Sequence, residues 1–181
     1  VEFDAVSSVE PTVSNEGVIM TDVKAVAQSS IDPDVTSGVA QFLAPVVVAL
    51  QALAVDGKQA HWHVRGANFQ AVHELLDVIV DHAQDYADTA AERVVALGLP
   101  LDARIQTIGA TTPTPTLTAG FQQSEATITQ VIAEIDAVLG AVRTAVDELG
   151  ELDAVSQDVA IEIARGLEKD RWFLFAHLAT S

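Results

Sequence analysis

The chain is 181 residues long, 49% hydrophobic and 19% charged, the proportions of one folded domain rather than a disordered chain. It has no cysteine, which excludes a disulfide scaffold, a thiolate zinc site, an iron–sulfur cluster and a cysteine nucleophile. Twenty-six acids against nine bases give a net charge of −17, a surface that repels nucleic acid because such affinity comes mostly from cations on phosphate.

Residues 1–35 carry seven acids and one base, Lys24, without a sustained apolar period. They are read as an acidic N-terminal arm, and residues 36–181 as the folded domain. The arm lacks the basic start and apolar stretch of a signal peptide. No segment reaches about 18 unbroken apolar residues, since residues 42–55 are interrupted by Pro45 and Gln51. No transmembrane helix is expected, and the cytoplasm is the expected location.

The first helix is predicted over residues 36–64, where Leu43, Val47, Leu50 and Ala54 recur at helical spacing. Pro45 is expected to kink it or to mark its true start. Gly66 stops it, and Asn68 is placed to cap the next helix. The second helix, residues 68–97, carries one apolar stripe of Val72, Leu76, Ile79, Ala83, Tyr86, Ala90, Val94 and Leu97, and Gly98 and Pro100 end it. A long connection follows to about residue 121, with a Pro/Thr run over 111–116; its length points to a crossover holding a short helix. The third helix, residues 124–149, is striped by Ile128, Val131, Ile135, Val138, Val142 and Val146. The fourth, residues 153–179, is striped by Val159, Ile163, Leu167, Leu174 and Leu178. No strand is expected. Four long amphipathic helices with one long link between the second and third describe an all-α, ferritin-like four-helix bundle.

The second helix also carries a polar face. His73 and Asp77 are four residues apart, as are Asp88 and Glu92, and all four fall within about a 100° arc opposite the apolar stripe. Asp77 and Asp88 are separated by roughly 16 Å along the axis, so one helix cannot gather them around one metal. The same helix of a second subunit, packed antiparallel, can: His73 and Asp77 of one chain then face Asp88 and Glu92 of the other, twice by symmetry. Mixed nitrogen and carboxylate donors suit iron, zinc or manganese. The competing reading is a solvated acidic face, which Asp81 and Asp85 extend. His61 is in phase with Leu43 and Leu50 and points inward or toward a neighbour, whereas His63 is expected to face solvent, as a satisfied or exposed histidine. The start of residues 73–77, HELLD, imitates the zinc-protease HExxH but has Asp in place of the second His.

Residues 58–69 (KQAHWHVRGANF), then HELLD over 73–77, then Asp88 and Ala91-Glu92-Arg93, follow the pattern HW, ten residues, HExxD, ten residues, DxxAER. This pattern resembles the Dps family of miniferritins, over about residues 36–179, and Trp172-Phe173 fits the family as well. The resemblance implies a ferritin-like four-helix subunit whose long connection between the second and third helices carries a short helix, assembled into a hollow dodecameric shell. It implies an inter-subunit ferroxidase site for iron (Fe2+/Fe3+) formed by His61, His73 and Asp77 of one chain with Asp88 and Glu92 of another. It further implies oxidation of Fe(II), preferably by hydrogen peroxide, with ferric mineral stored in the cavity. The absence of any Glu-x-x-His pair fits an interfacial site rather than one inside the bundle. Trp62 resembles a family tryptophan near the site, as an electron donor or radical trap; simple packing is the alternative.

Iron-entry pores in the family are acidic and lie near the junction of the third and fourth helices, here Asp147, Glu148, Glu151, Asp153 and Asp158. The family's DNA-binding arms are Lys-rich and this arm is acidic, so direct DNA binding is not expected. Scarce Lys (three) and Asp in excess of Glu, 15 to 11, point to a salt-loving source, and with the resemblance to a halophilic archaeal member; the alternative is an ordinary acidic cytoplasmic protein. Molar salt shortens the Debye length to about 3 Å and screens such self-repulsion. Two rival readings stay open: an acidic oligomerising protein without redox chemistry, and a zinc-dependent hydrolase using His61, His73 and Asp77.

Overall fold

The computed structural model describes residues 29–178; the acidic arm, apart from its last residues, lies outside them. The described chain runs α1 (Pro33–His63), β1 (Val64–Arg65), α2 (Phe69–Ala96), α3 (Ile105–Thr111), β2 (Gln122–Gln123), α4 (Ser124–Leu149) and α5 (Ala154–Ala176). It is the expected all-α, ferritin-like arrangement of four long helices, with the short α3 inside the long connection.

Helix α1 begins earlier than its apolar period. Asp32 caps it by accepting from the Asp34 amide at 2.8 Å, and Pro33 occupies the first turn, where its missing N–H costs nothing. Residues 33–35 therefore belong to the helix rather than to the arm. Pro45 neither starts nor ends α1; it lies inside the helix with its ring exposed. By length and composition alone α1 could cross a membrane, with Pro45 and Gln51 inside it. Its apolar surface is instead spent inside the bundle: Val39, Leu43, Val46, Leu50 and Leu53 are fully buried, and α1 packs chiefly on α2 and α4. A helix that is apolar nearly all round belongs in the centre of a core.

No strand was expected, yet β1 and β2 form a two-residue parallel bridge, Val64 opposite Gln122 and Arg65 opposite Gln123. The Ser124 hydroxyl donates to the Arg65 carbonyl at 2.9 Å and also to that of Ala67. Gly66 sits at φ 98°, and a Cβ there would fall 2.2 Å from the Gln123 side-chain oxygen, so only glycine fits the crossing. The end of α1 is thereby fastened to the start of α4. Asn68 precedes α2 as expected, but in the left-handed region (φ 58°) and without a side-chain cap; its carbonyl accepts from Val72 instead.

The predicted stripes of α2, α4 and α5 form the core, with Tyr86, Val146, Val159 and Leu178 only half-buried at its edge. The α2–α5 seam is the lightest of the long-helix contacts between chain neighbours around the bundle, and it is polar. His82 meets the buried Asp170 carboxylate at 3.0 Å, and Arg93 meets Asp153 at 2.7 Å. Tyr86 lies over Gly166, where an added Cβ would stand 2.5 Å from the ring's Cζ. Gly166→Ala must push the rigid ring out of the seam, and we expect a loss of about 1–3 kcal/mol, read as a lowered Tm with the helix content unchanged.

Candidate functional site

The site is built where α1 ends and α2 begins. His61, on the last turn of α1, is 7% exposed; His73 lies one turn into α2. Their rings stack with centroids 3.6 Å apart and planes 20° from parallel. Each ring is held by the other residue's backbone. His61 Nδ1 donates to the His73 carbonyl at 2.8 Å, and His73 Nδ1 donates to the His61 carbonyl at 2.9 Å. A carbonyl only accepts, so both protons sit on Nδ1. In the neutral imidazoles both Nε2 atoms then carry free lone pairs. Fixing one ring nitrogen by a hydrogen bond to present the other is the usual preparation of a metal-binding histidine.

Asp77, one turn further along α2, completes the group. Its carboxylate lies 3.5 Å from His61 Nδ1 and is bridged to the Lys58 ammonium, which comes from α1. The Lys58 hydrogen bond holds the Asp77 carboxyl below its usual range, with partial desolvation opposing and His61 and His73 adding to the lowering. Asp77 is therefore an anion at neutral pH, with a cation already in contact.

Asp88 and Glu92 stand about three and four turns further down α2 on the same arc, both exposed, lining an open groove with Ala91, Val95 and Ala96. His61, His73 and Asp77 come together; Asp88 and Glu92 do not join them within one chain. No cluster of three or more His, Asp or Glu positioned to hold a metal occurs among the described residues. Trp62 is 62% exposed beside His61, pointing away from the core. His63 is a satisfied, half-buried histidine, bonded to the Gln59 carbonyl at 3.1 Å and edge-on to Phe121 at 5.3 Å. Phe69 packs against His73 with ring centroids 5.1 Å apart and is 45% exposed, whereas exposed Phe121 sits on His63 under the Arg65 guanidinium.

At the α4–α5 turn, Asp147, Glu148, Glu151 and Asp158 are exposed. Asp153 is engaged: it accepts from the Ser156 amide at 2.9 Å as the cap of α5 and pairs with Arg93. Two carboxylates went unremarked in the sequence, Glu134 on α4 and Asp170 on α5, at 0% and 2% exposure. Each is a lone acid in an apolar stripe, between Val131 and Val138 and between Leu167 and Leu174. Burial raises both carboxyls, Glu134 to about 8 with Asp56 adding to the shift, and Asp170 against the opposing pull of His82.

Residues 43–181 match the ferritin-like domain family. The chain is 35% identical over 127 residues to the DNA protection during starvation protein of Agrobacterium fabrum, covering 70% of this chain and 78% of that protein. It is 33% identical over 140 residues to the fine tangled pili major subunit of Haemophilus ducreyi, covering 77% and 74%. Among solved structures it superposes on Dps from Microbacterium arborescens in its high iron form with a TM-score of 0.80, at 60% identity over 82% of this chain and 97% of that one. All three sources are bacteria, and none of them supports a halophilic archaeal origin.

Proposed function

The chain belongs to the Dps family of ferritin-like proteins, and from this premise we propose that it oxidises Fe(II) at sites shared between two subunits and stores the ferric product. The observation that carries the reading is the reciprocal locking of His61 and His73. Two imidazoles with free Nε2 atoms, beside an ionised Asp77, are half of a mixed nitrogen–carboxylate site. The other half, Asp88 and Glu92, lies on the same arc of α2 and is supplied by a second copy packed antiparallel. The exposed rings of Phe69, packed on His73, and of Trp62, next in sequence to His61, support burial of this face against that copy.

In this reading Fe(II) is drawn through the acidic α4–α5 turns, chiefly by Asp147, Glu148 and Asp158, and meets the site as substrate. Its positive charge replaces the Lys58 ammonium as the partner of Asp77. Hydrogen peroxide takes one electron from each of two Fe(II) ions, and the product is water. The carboxylates of Asp77, Asp88 and Glu92 stabilise the more highly charged Fe(III) and favour the oxidised side of the reaction. Removing Fe(II) and peroxide together suppresses radical formation. The assembly is a homo-oligomeric shell, a dodecamer on the family pattern, working in the cytoplasm. Anaerobic loading with Fe(II), addition of peroxide and passage over a sizing column tests both halves: soluble Fe(III) eluting with a large particle supports them, and precipitated iron with a small protein overturns them.

Lys58→Met removes the cation that competes for Asp77 without removing a ligand. Fe(II) affinity, measured anaerobically by calorimetric titration, is expected to rise several-fold, and the oxidation rate at low Fe(II) with it. Direct DNA binding is not part of the proposed function, because the arm offers only Lys24 against its acids. A gel-shift assay at physiological salt should show free DNA; retention that disappears on deleting residues 1–35 overturns this.

A further inference from the structure

A cleft of about 310 Å3 opens between α1 and residues 112–119, the stretch that follows α3. Its lining divides by chemistry. Asp56 and Gln59 stand about one turn apart on α1, and the threonines of residues 112–118 line the cleft from the connection. Pro115, Leu117 and Ala119 supply an apolar wall. Asp56 is the one charged residue in this lining, and it is half-buried. Burial raises its carboxyl above the ordinary range, with no cation or hydrogen bond to oppose the shift. Among the described residues no Lys, Arg or His pairs with it; Lys58, two positions on, is bound to Asp77. A carboxylate partly withdrawn from water without a partner is stabilised by a cation brought into contact with it.

From this juxtaposition we propose that the cleft binds a primary alkylammonium, with its N–H groups on Asp56 and its stem along Pro115, Leu117 and Ala119. The lining decides the class of ligand. One carboxylate balances one positive charge, whereas a calcium site gathers several carboxylates and carbonyls and a magnesium site adds substrate phosphates. An ammonium carries three donors and no acceptor, which matches a carboxylate supplemented by amide and hydroxyl oxygens. The volume sets a second limit. At about 310 Å3 the cleft is at the small end of ligand pockets. It equals roughly ten water volumes, far more than a bare monovalent ion fills. The apolar wall gains nothing from such an ion but gains from covering methylenes. The net charge of −17 raises the local concentration of any cation. A free alkylamine and the lysine side chain of another protein share this chemistry, and the test separates them. The site is independent of iron, because none of its residues belongs to the His61–His73 group or to the carboxylates of α2.

The test uses the full-length assembly in about 0.15 M sodium chloride at about pH 8, where alkylamines keep their proton. Ethyl-, propyl- and n-butylammonium chloride are titrated, and binding is followed by saturation-transfer NMR of the alkyl protons. Saturable binding is expected, with affinity rising about fourfold for each added methylene. Tetramethylammonium has the charge but no N–H donor and should give no saturable signal. Asp56→Asn should weaken butylammonium binding about tenfold or more. Ala119→Phe, which fills the cleft and leaves the carboxylate in place, should do the same. Both variants are checked for wild-type particle size and Fe(II) oxidation. A lysine blocked at both backbone ends, bound as tightly as butylammonium, assigns the cleft to a protein side chain; much weaker binding of it assigns the cleft to a free alkylamine. No saturable binding, unchanged affinity in either variant, no dependence on chain length, or binding matched by tetramethylammonium overturns the proposal.

Discussion

Mixed assemblies of His73→Ala and Asp88→Asn subunits are expected to regain about a quarter of wild-type peroxide-driven Fe(II) oxidation, although each variant alone falls about 100-fold or more. The reasoning is geometric. His73 belongs to the cluster that one chain assembles with His61 and Asp77, whereas Asp88 stands apart on the lower half of α2. At an interface between one subunit of each kind, one site receives both defects and the other receives neither. Random association makes about half of all two-fold interfaces mixed, and each mixed interface restores one site of two. Subunits are co-refolded, the particle is isolated by size, and initial rates are read from Fe(III) absorbance. A site contained within a single chain would show no recovery at any mixing ratio. A structural protein without redox chemistry would show no oxidation to lose, and a zinc hydrolase would be indifferent to peroxide.

Glu134→Gln is expected to remove most of the pH dependence of stability between pH 4.5 and 8 in metal-free buffer. The native carboxyl titrates at about 8 against an ordinary 4.5, because burial and Asp56 both oppose its ionisation. A raised native value means that the folded protein holds the proton more tightly than the unfolded chain. Its contribution is therefore fully present below pH 4.5 and is lost as pH rises through 8. The difference corresponds to about 5 kcal/mol per subunit, an order-of-magnitude figure from about 1.4 kcal/mol per pH unit. Glutamine keeps the shape and carries no titrating proton, so its Tm should be nearly flat over this range. A weaker residual decline should remain from Asp170, whose carboxyl is also raised by burial. Parallel Tm profiles for wild type and variant would show that Glu134 is solvated or paired in solution.

Much of the fold was legible in the sequence because it is written in local periodicity. The stripe from Val72 to Leu97 specified α2 nearly to the residue, and the long Pro/Thr connection announced α3. What escaped notice depends on contacts between distant residues or on small local choices. The β1–β2 bridge joins Val64 to Gln122, and nothing in two isolated dipeptides signals a pairing across so long a separation. The early start of α1 is readable in Asp32-Pro33, a cap followed by a first-turn proline, but the apolar period begins only at Leu43 and draws the boundary inward. At the site, the residue types and spacing of His73, Asp77, Asp88 and Glu92 were evident. The mutual carbonyl bonds of His61 and His73 were not, because they depend on the crossing of two helices. Glu134 and Asp170 were visible only as interruptions of otherwise apolar stripes; a charge at a core register is the signal that would have found them.

The apolar circumference of α1 has a consequence for how the chain is made. Ribosomal synthesis is vectorial, and α1 emerges before either of the helices that cover it. Its first cover, α2, is complete only at Ala96, which at an elongation rate of about 5–20 residues per second comes about two to seven seconds after His63. Throughout that interval a helix with the composition of a membrane span stands alone at the tunnel exit. Speed of translation through residues 64–96, a property of the message rather than of the finished shell, thus sets how long α1 waits for its first cover.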